Sequence, residues 1–163
     1  MPPQTTDPWK MALAALSRRD LTAAEIRRKL TRKKVTKDSV ERVLARLAER
    51  GYVDDRNVAY NHARLRAEQG RRGPRRVRAE MIARGLPPAL VDEVLREAFP
   101  SAEDGPALAR AVSKICGPAG PPEAREERER LARKLIRAGF APGAVLDWLH
   151  RSGSDEDFHD EIS

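Results

Sequence analysis

The chain has 163 residues, 35% of them charged and only 4% aromatic, with a formal net charge of +7. So few aromatics do not furnish one large core, and a single cysteine, Cys116, excludes an internal disulfide framework and suits a reducing compartment. No apolar run is long enough to span a bilayer and the opening MPPQTTDPWK lacks a signal-peptide core, so no membrane partner and a cytoplasmic location are expected.

In chain order the helix signals are dense. Asp7-Pro8 supplies an N-cap and a proline at the first helical position, predicting a helix from about Trp9 to Arg18 with Leu13 and Leu16 facing inward. Thr22-Ala-Ala-Glu25 is a capping box that opens a second helix reaching about Lys33, and Thr36 caps a third that stops at Gly51. The pattern restarts with Asp54 or Asp55 capping a helix to about Gln69. Gly73-Pro74 opens the next, which ends at Gly85, and Pro87-Pro88 opens a short one to Phe99. A third round begins with the capping box Ser101-Ala-Glu-Asp104. It continues to Cys116, crosses the linker Gly117–Pro122, and resumes as helices at about Glu123–Ala138 and Pro142–Arg151. No Val/Ile/Thr alternation suggests a strand.

Three stretches superimpose without gaps: Ile26–Leu44, Val77–Leu95 and Leu131–Leu149. Apolar residues recur at six shared offsets, as Ile26, Leu30, Val35, Val40, Val43, Leu44; Val77, Met81, Leu86, Val91, Val94, Leu95; and Leu131, Leu135, Phe140, Val145, Trp148, Leu149. All 18 positions are apolar, where a 40% apolar composition would give about seven by chance. The expected fold is therefore all-α, an elongated tandem array of three three-helix repeats: residues 1–52, 53–100, and 101–152 with the Gly/Pro linker at 117–122. Residues 153–163 are read as a disordered acidic tail.

Charge follows the repeat. The last nine residues hold Asp155, Glu156, Asp157, Asp160 and Glu161 and no Lys or Arg, so the remainder carries +12 against the chain's +7. Arg27, Arg28, Arg32, Lys33 and Lys34 flank the second helix, Arg71, Arg72, Arg75, Arg76 and Arg78 rim its counterpart, and Arg130, Arg133, Lys134 and Arg137 the third. Arginine forks suit phosphates and carboxylates alike, so the first two clusters are the candidate partner-binding residues. Glu25 and Glu93 read as acidic surface positions.

Catalysis finds little support, and no enzyme, cofactor or metal is expected. His62, His150 and His159 lack cysteines or paired carboxylates at ligand spacing, Cys116 has no acid–base partner, and Gly70-Arg-Arg-Gly73 lacks the lysine and preceding strand of a phosphate loop. Val40–Val53 resembles the recognition helix of winged-helix transcription factors, but the next residues, Asp54-Asp55-Arg-Asn-Val-Ala59, read as a capped helix rather than a wing.

Gly51-Tyr52-Val53-Asp54-Asp55, Ala59, Arg64–Arg66, Gly73-Pro74 and Ile82-Ala-Arg-Gly85-Leu86 resemble the bacterial RecX family, as does the upstream segment Ser17–Leu30 with its Glu25-x-x-x-Lys29-Leu30 core. The likeness spans about residues 9–151 and marks Tyr52, Asp54, Asp55, Gly73 and Pro74 as family-motif positions. It implies a non-enzymatic monomer in homologous recombination, DNA repair and the SOS response. Such a protein binds the RecA filament on single-stranded DNA, with double-stranded DNA a further partner, and damps its ATPase, strand-exchange and co-protease activities. The runner-up is a helix-turn-helix-like nonspecific DNA-binding module or transcription regulator.

Overall fold

A computed structural model describes residues 7–100 and 105–152, and among them it holds nine α-helices and no strand. They are α1 (Pro8–Leu16), α2 (Ala23–Arg32), α3 (Lys37–Glu49), α4 (Asp55–Gln69), α5 (Pro74–Ala83), α6 (Pro88–Ala98), α7 (Gly105–Cys116), α8 (Arg125–Arg137) and α9 (Pro142–Arg151). The linker after α7 begins with a short 3₁₀ turn, Gly117–Ala119. The Ser101–Asp104 capping box, His159 and the acidic tail lie outside the described residues.

Of the 18 same-offset positions, 15 are buried; Val35, Val43 and Trp148 are half-buried. In the first triplet Ile26, Leu30, Val40, Leu44 and Leu47 form the core, against which α1 packs. Its inner face is built from Ala12 and Ala15, while Leu13 and Leu16, expected to face inward, are only half-buried at its margin. Small residues there let the α1 backbone approach α2 and α3 closely. In the third triplet α7 brings Ala107, Leu108, Ala111 and Val112 into the interior, and α7, α8 and α9 pack on one another.

The turn between the second and third helix is the same in every triplet. Lys34, Gly85 and Gly139 all take a left-handed backbone, with φ of 61°, 87° and 99°. Each donates its N–H three residues back, to Thr31, Ile82 and Ile136, at 2.9, 2.8 and 3.0 Å. The following residues, Val35, Leu86 and Phe140, each donate to Leu30, Met81 and Leu135 at 3.2 Å. These two bonds are the Schellman pattern, which satisfies the last carbonyls of a helix and sets an apolar residue against the one five positions earlier. The threefold apolar repeat is therefore, in part, a repeated helix stop.

The glycines serve a second purpose. A Cβ on Gly85 would lie 2.4 Å from the Ala24 Cβ, and one on Gly139 would lie 2.5 Å from the Arg76 Cβ. Ala24 and Arg76 stand in the first turns of α2 and α5, so each turn seats the N-terminus of the preceding triplet's middle helix. The contact recurs in hydrogen bonds. Thr22, the α2 N-cap, donates its hydroxyl to the Arg84 carbonyl at 2.8 Å. Gly73, just before α5, donates its N–H to the Ala138 carbonyl at 2.8 Å, and Arg75 N–H donates to the Gly139 carbonyl at 3.2 Å. In the first triplet the turn residue is the exposed Lys34 rather than glycine.

The chain divides into two compact units, Met1–His62 with Met81–Val91, and Ala63–Glu80 with Asp92–Ser163. The second triplet is shared between them, which follows from these seats: its α5–α6 turn packs with α2, while the start of α5 packs with the α8–α9 turn. The Thr36 side chain, expected to cap α3, accepts no helix N–H; its hydroxyl instead donates to Ser39 Oγ at 3.0 Å.

Candidate partner-binding surface

The arginines divide sharply once their partners are counted. Arg27 binds Glu41 through Nε and Nη2 at 2.9 and 3.1 Å, and Arg78 binds Asp92 through Nε and Nη2 at 2.7 and 3.3 Å. These pairs occupy equivalent places and tie the middle helix of a triplet to its last. The hydrogen bond from Arg27 lowers the Glu41 carboxyl and that from Arg78 lowers the Asp92 carboxyl, while both guanidinium groups are raised. Arg28 does structural work of another kind, donating to the Ala83 carbonyl at 3.3 Å and the Arg84 carbonyl at 2.9 Å. It closes over the terminal carbonyls of α5, where a cation also opposes the helix dipole.

Around Glu80 three arginines converge. Arg72 hydrogen-bonds Oε1, Arg66 Nε lies 3.3 Å from Oε2 without hydrogen-bond alignment, and Arg76 Nε lies 3.8 Å from Oε1. Desolvation and the neighbouring Arg66 and Arg76 cations lower the Arg72 guanidinium, so this is a crowded, internally engaged cluster. Of the ten candidates, Arg32, Lys33 and Lys34 at the end of α2, and Arg71 and Arg75 before and within the first turn of α5, are exposed and have no ion pair among the described residues. The first three belong to one compact unit and the other two to the second. The basic rim is thus thinner than the bare count of arginines implies.

The motif positions are joints of the fold. Asp54 caps α4, its Oδ1 accepting from the Asn57 N–H at 3.0 Å. Asp55 reaches back to α2 and accepts from the Ala23 N–H at 2.8 Å. Between Asp54 and Asp55 both alternatives are therefore caps, each of a different helix. Pro74 starts α5, and a Cβ on Gly73 would lie 2.4 Å from the Gly139 carbonyl carbon. Tyr52 donates its N–H to the Leu47 carbonyl at 2.9 Å as the chain leaves α3, with its side chain half exposed.

Glu25 is not the surface residue its sequence suggests. It completes the capping box by accepting the Thr22 N–H at 2.9 Å while Thr22 Oγ1 accepts the Glu25 N–H at 3.1 Å. Arg84 and Arg19 both bind its carboxylate, whose side chain is 14% exposed. Burial alone would raise this carboxyl, but hydrogen bonds from Arg84, the Thr22 N–H and Arg19 outweigh it and hold it at about 2. Glu93 is exposed as expected.

A group absent from the sequence reading lies on the first triplet. The Arg46 guanidinium stacks over the Trp9 ring at 4.2 Å from its centroid, Arg50 approaches the same ring at 5.7 Å, and the Tyr52 ring lies 6.2 Å from it at 58°. Arg42 and Arg46 of α3 and Arg50 at its C-cap recur every four residues, a spacing visible in the sequence. That Trp9 of α1 lies beneath them follows only from how α1 and α3 pack. Among the described residues no group of three or more His, Cys, Asp or Glu could hold a metal ion, and no helix is long and apolar enough to cross a membrane.

Comparison with known proteins matches residues 9–47 to the first three-helix domain of RecX and residues 54–95 to the second. A regulatory protein RecX from Halorhodospira halophila is 39% identical, with 90% of this chain and 87% of that protein covered. One from Trichlorobacter lovleyi is 36% identical, with 84% and 90% covered. In fold, a crystal structure of RecX from Lactobacillus salivarius superimposes with a TM-score of 0.70 at 18% identity, over 90% of this chain and 94% of that one. A second crystal structure of a regulatory protein RecX gives 0.68 at 21%, over 88% and 70%. Sequence kinship over most of both lengths, with the same helical fold, makes this chain a member of the RecX family of regulatory proteins.

Proposed function

We propose that this protein binds the RecA recombinase filament on single-stranded DNA and lowers its ATP hydrolysis, strand exchange and co-protease activity, acting in the cytoplasm as a monomer without catalysis of its own. The observation that carries the reading is the 39% identity to a regulatory protein RecX over 90% of this chain. Supporting it is the repeated seat between one triplet and the next, which suits a protein laid along an extended partner. In this reading the working units are the three repeats, 1–52, 53–100 and 101–152, with 117–122 as the linker of the third. Arg32, Lys33, Lys34, Arg71 and Arg75 meet the filament, because their charge is not consumed within the fold.

The test is RecA ATPase on single-stranded DNA, titrated with this protein. Falling turnover is expected; turnover unchanged at large excess overturns the reading. Pull-down of RecA without DNA separates direct binding from the alternative, a nonspecific DNA-binding module that affects filaments by occupying their DNA.

A further inference from the structure

We propose that Trp9, Arg46, Arg50 and Tyr52, with Arg42 alongside, form a stacking site for unpaired bases of single-stranded nucleic acid. Three observations converge on this. First, the site turns one ring and one guanidinium plane to solvent, with Trp9 packed behind them. Tyr52 is 52% exposed, Trp9 is half-buried, and the Arg46 guanidinium lies over the indole at 4.2 Å, so that plane continues the aromatic surface outward. A large aromatic exposed at the mouth of a small helical core gives up burial it would otherwise gain, and this chain has only seven aromatic residues among Trp, Tyr and Phe. Second, the charge here is not consumed by ion pairs among the described residues. Arg27, Arg78 and Arg84 are each paired with a carboxylate, whereas Arg42, Arg46 and Arg50 have no ion pair among the described residues. Arg42 is steadied by a neutral partner, donating to Ser39 Oγ at 3.2 Å. Among the described residues the one acid lining the adjoining cleft, Asp7, is engaged in capping α1 through the Trp9 N–H at 3.0 Å. Third, the two kinds of group alternate at close quarters, with the Tyr52 and Trp9 centroids 6.2 Å apart and Arg50 5.7 Å from the indole centroid.

An exposed tyrosine ring beside arginines that have no ion pair among the described residues matches an unpaired strand. Bases stack on rings and guanidinium planes while phosphates take the remaining charge. A duplex keeps its base faces inside its own stack and meets only the charge, and an acidic peptide has no flat face to offer the rings. The site sits on residues outside the ten basic candidates above, and it operates without the recombinase.

The experiment uses the full chain with Trp148→Phe, which leaves Trp9 as the sole tryptophan. Its emission is titrated with an oligothymidylate, a duplex of equal charge and polyglutamate. Saturable quenching by oligothymidylate alone is expected. Tyr52→Ala should weaken binding about ten-fold, as losing one stacking platform does, while Tyr52→Phe preserves it. Arg46→Lys should weaken binding without changing its salt dependence, whereas Arg50→Ala should flatten the log–log salt slope by about 0.7. Quenching by polyglutamate as strong as by oligothymidylate overturns the proposal in favour of an acidic protein partner. Anisotropy showing oligothymidylate bound while Trp9 emission stays constant overturns it too, as does a helical, folded Tyr52→Ala that binds like the parent. Failure of this assay leaves the filament reading standing, because that reading is tested separately by pull-down of RecA without DNA.

Discussion

Arg84 grips Glu25 with both prongs of its guanidinium, Nε to Oε1 at 3.2 Å and Nη2 to Oε2 at 3.0 Å, across 59 residues of chain. Glu25 is at once the third residue of α2 and the anchor of the turn that follows α5. The same turn receives the Thr22 hydroxyl on the Arg84 carbonyl and the Arg28 guanidinium on the carbonyls of Ala83 and Arg84. A helix N-terminus is thereby bonded to a helix C-terminus. Glu25→Gln keeps the shape and most of the capping box but leaves Arg84 half-buried without its counter-charge. Chemical denaturation should show a loss of about 2 kcal/mol. Arg84→Ala should cost a similar amount, and the double variant should recover part of the sum. Strict additivity would mean that the two residues do not act together.

Glu25 also sets an acid limit. Its carboxyl is held at about 2 in the folded chain against 4.5 for the free group. A depressed acid binds more protons when unfolded, so its contribution is whole above pH 4.5 and fades as the pH falls towards 2. The contribution is on the order of 2–3 kcal/mol. Stability followed from pH 6 to 2.5 should therefore decline less steeply in Glu25→Gln than in the parent. Parallel curves would remove Glu25 from the acid response.

Much of this fold is legible in the sequence because its signals are local. Asp7-Pro8, the Thr22–Glu25 capping box and the prolines at 74, 88 and 142 each mark a helix start, and the apolar offsets mark its inner face. Whether a charge is free is not local. Arg27 and Arg78 lie 14 residues from the acids that bind them, and Arg84 lies 59 from its own. No spacing rule within one helix reaches that far. The same gap hid the stack of Arg46 on Trp9, whose partners belong to different helices. Glu25 looked like a surface acid because helical spacing places it off the Ile26–Leu30 stripe; the neighbouring turn is what covers it.

The turn residues should respond in opposite directions. Lys34 holds a left-handed backbone at φ 61° in an exposed turn, so Lys34→Gly removes strain and should stabilise by about 1 kcal/mol. Gly85→Ala and Gly139→Ala would add a Cβ 2.4 and 2.5 Å from Ala24 and Arg76 on top of the same backbone penalty. Both should destabilise by more than about 2 kcal/mol in thermal unfolding. If all three substitutions shift the midpoint equally, the seating of these turns on α2 and α5 contributes nothing.

Leu30, Met81 and Leu135 are equivalent in sequence, and each is at most 1% exposed. Each also accepts a turn N–H on its carbonyl, so its side chain packs where the helix stops. Truncation to alanine should cost about 2–5 kcal/mol at each site, measured by denaturant titration. A site costing under about 1 kcal/mol would not be a core position of its triplet.

The filament-binding charges are best tested where the fold does not need them. Reversing Arg78 would set an acid against Asp92, and reversing Arg76 would set one near Glu80, so either change mixes folding with function. Arg32, Lys33, Arg71 and Arg75 avoid this, being exposed and unpaired among the described residues. A single exposed charge of this kind shifts stability by less than about 0.5 kcal/mol. Arg32→Glu with Lys33→Glu, and separately Arg71→Glu with Arg75→Glu, should leave the helical spectrum and the unfolding midpoint close to those of the parent. Each pair should raise the concentration needed to halve RecA ATPase about ten-fold and weaken the dependence of inhibition on salt. Asp147→Lys, which replaces an exposed acid on α9, serves as the reference for a neutral surface change. Unaltered inhibition by both pairs at low and high salt would assign these cations to solubility alone.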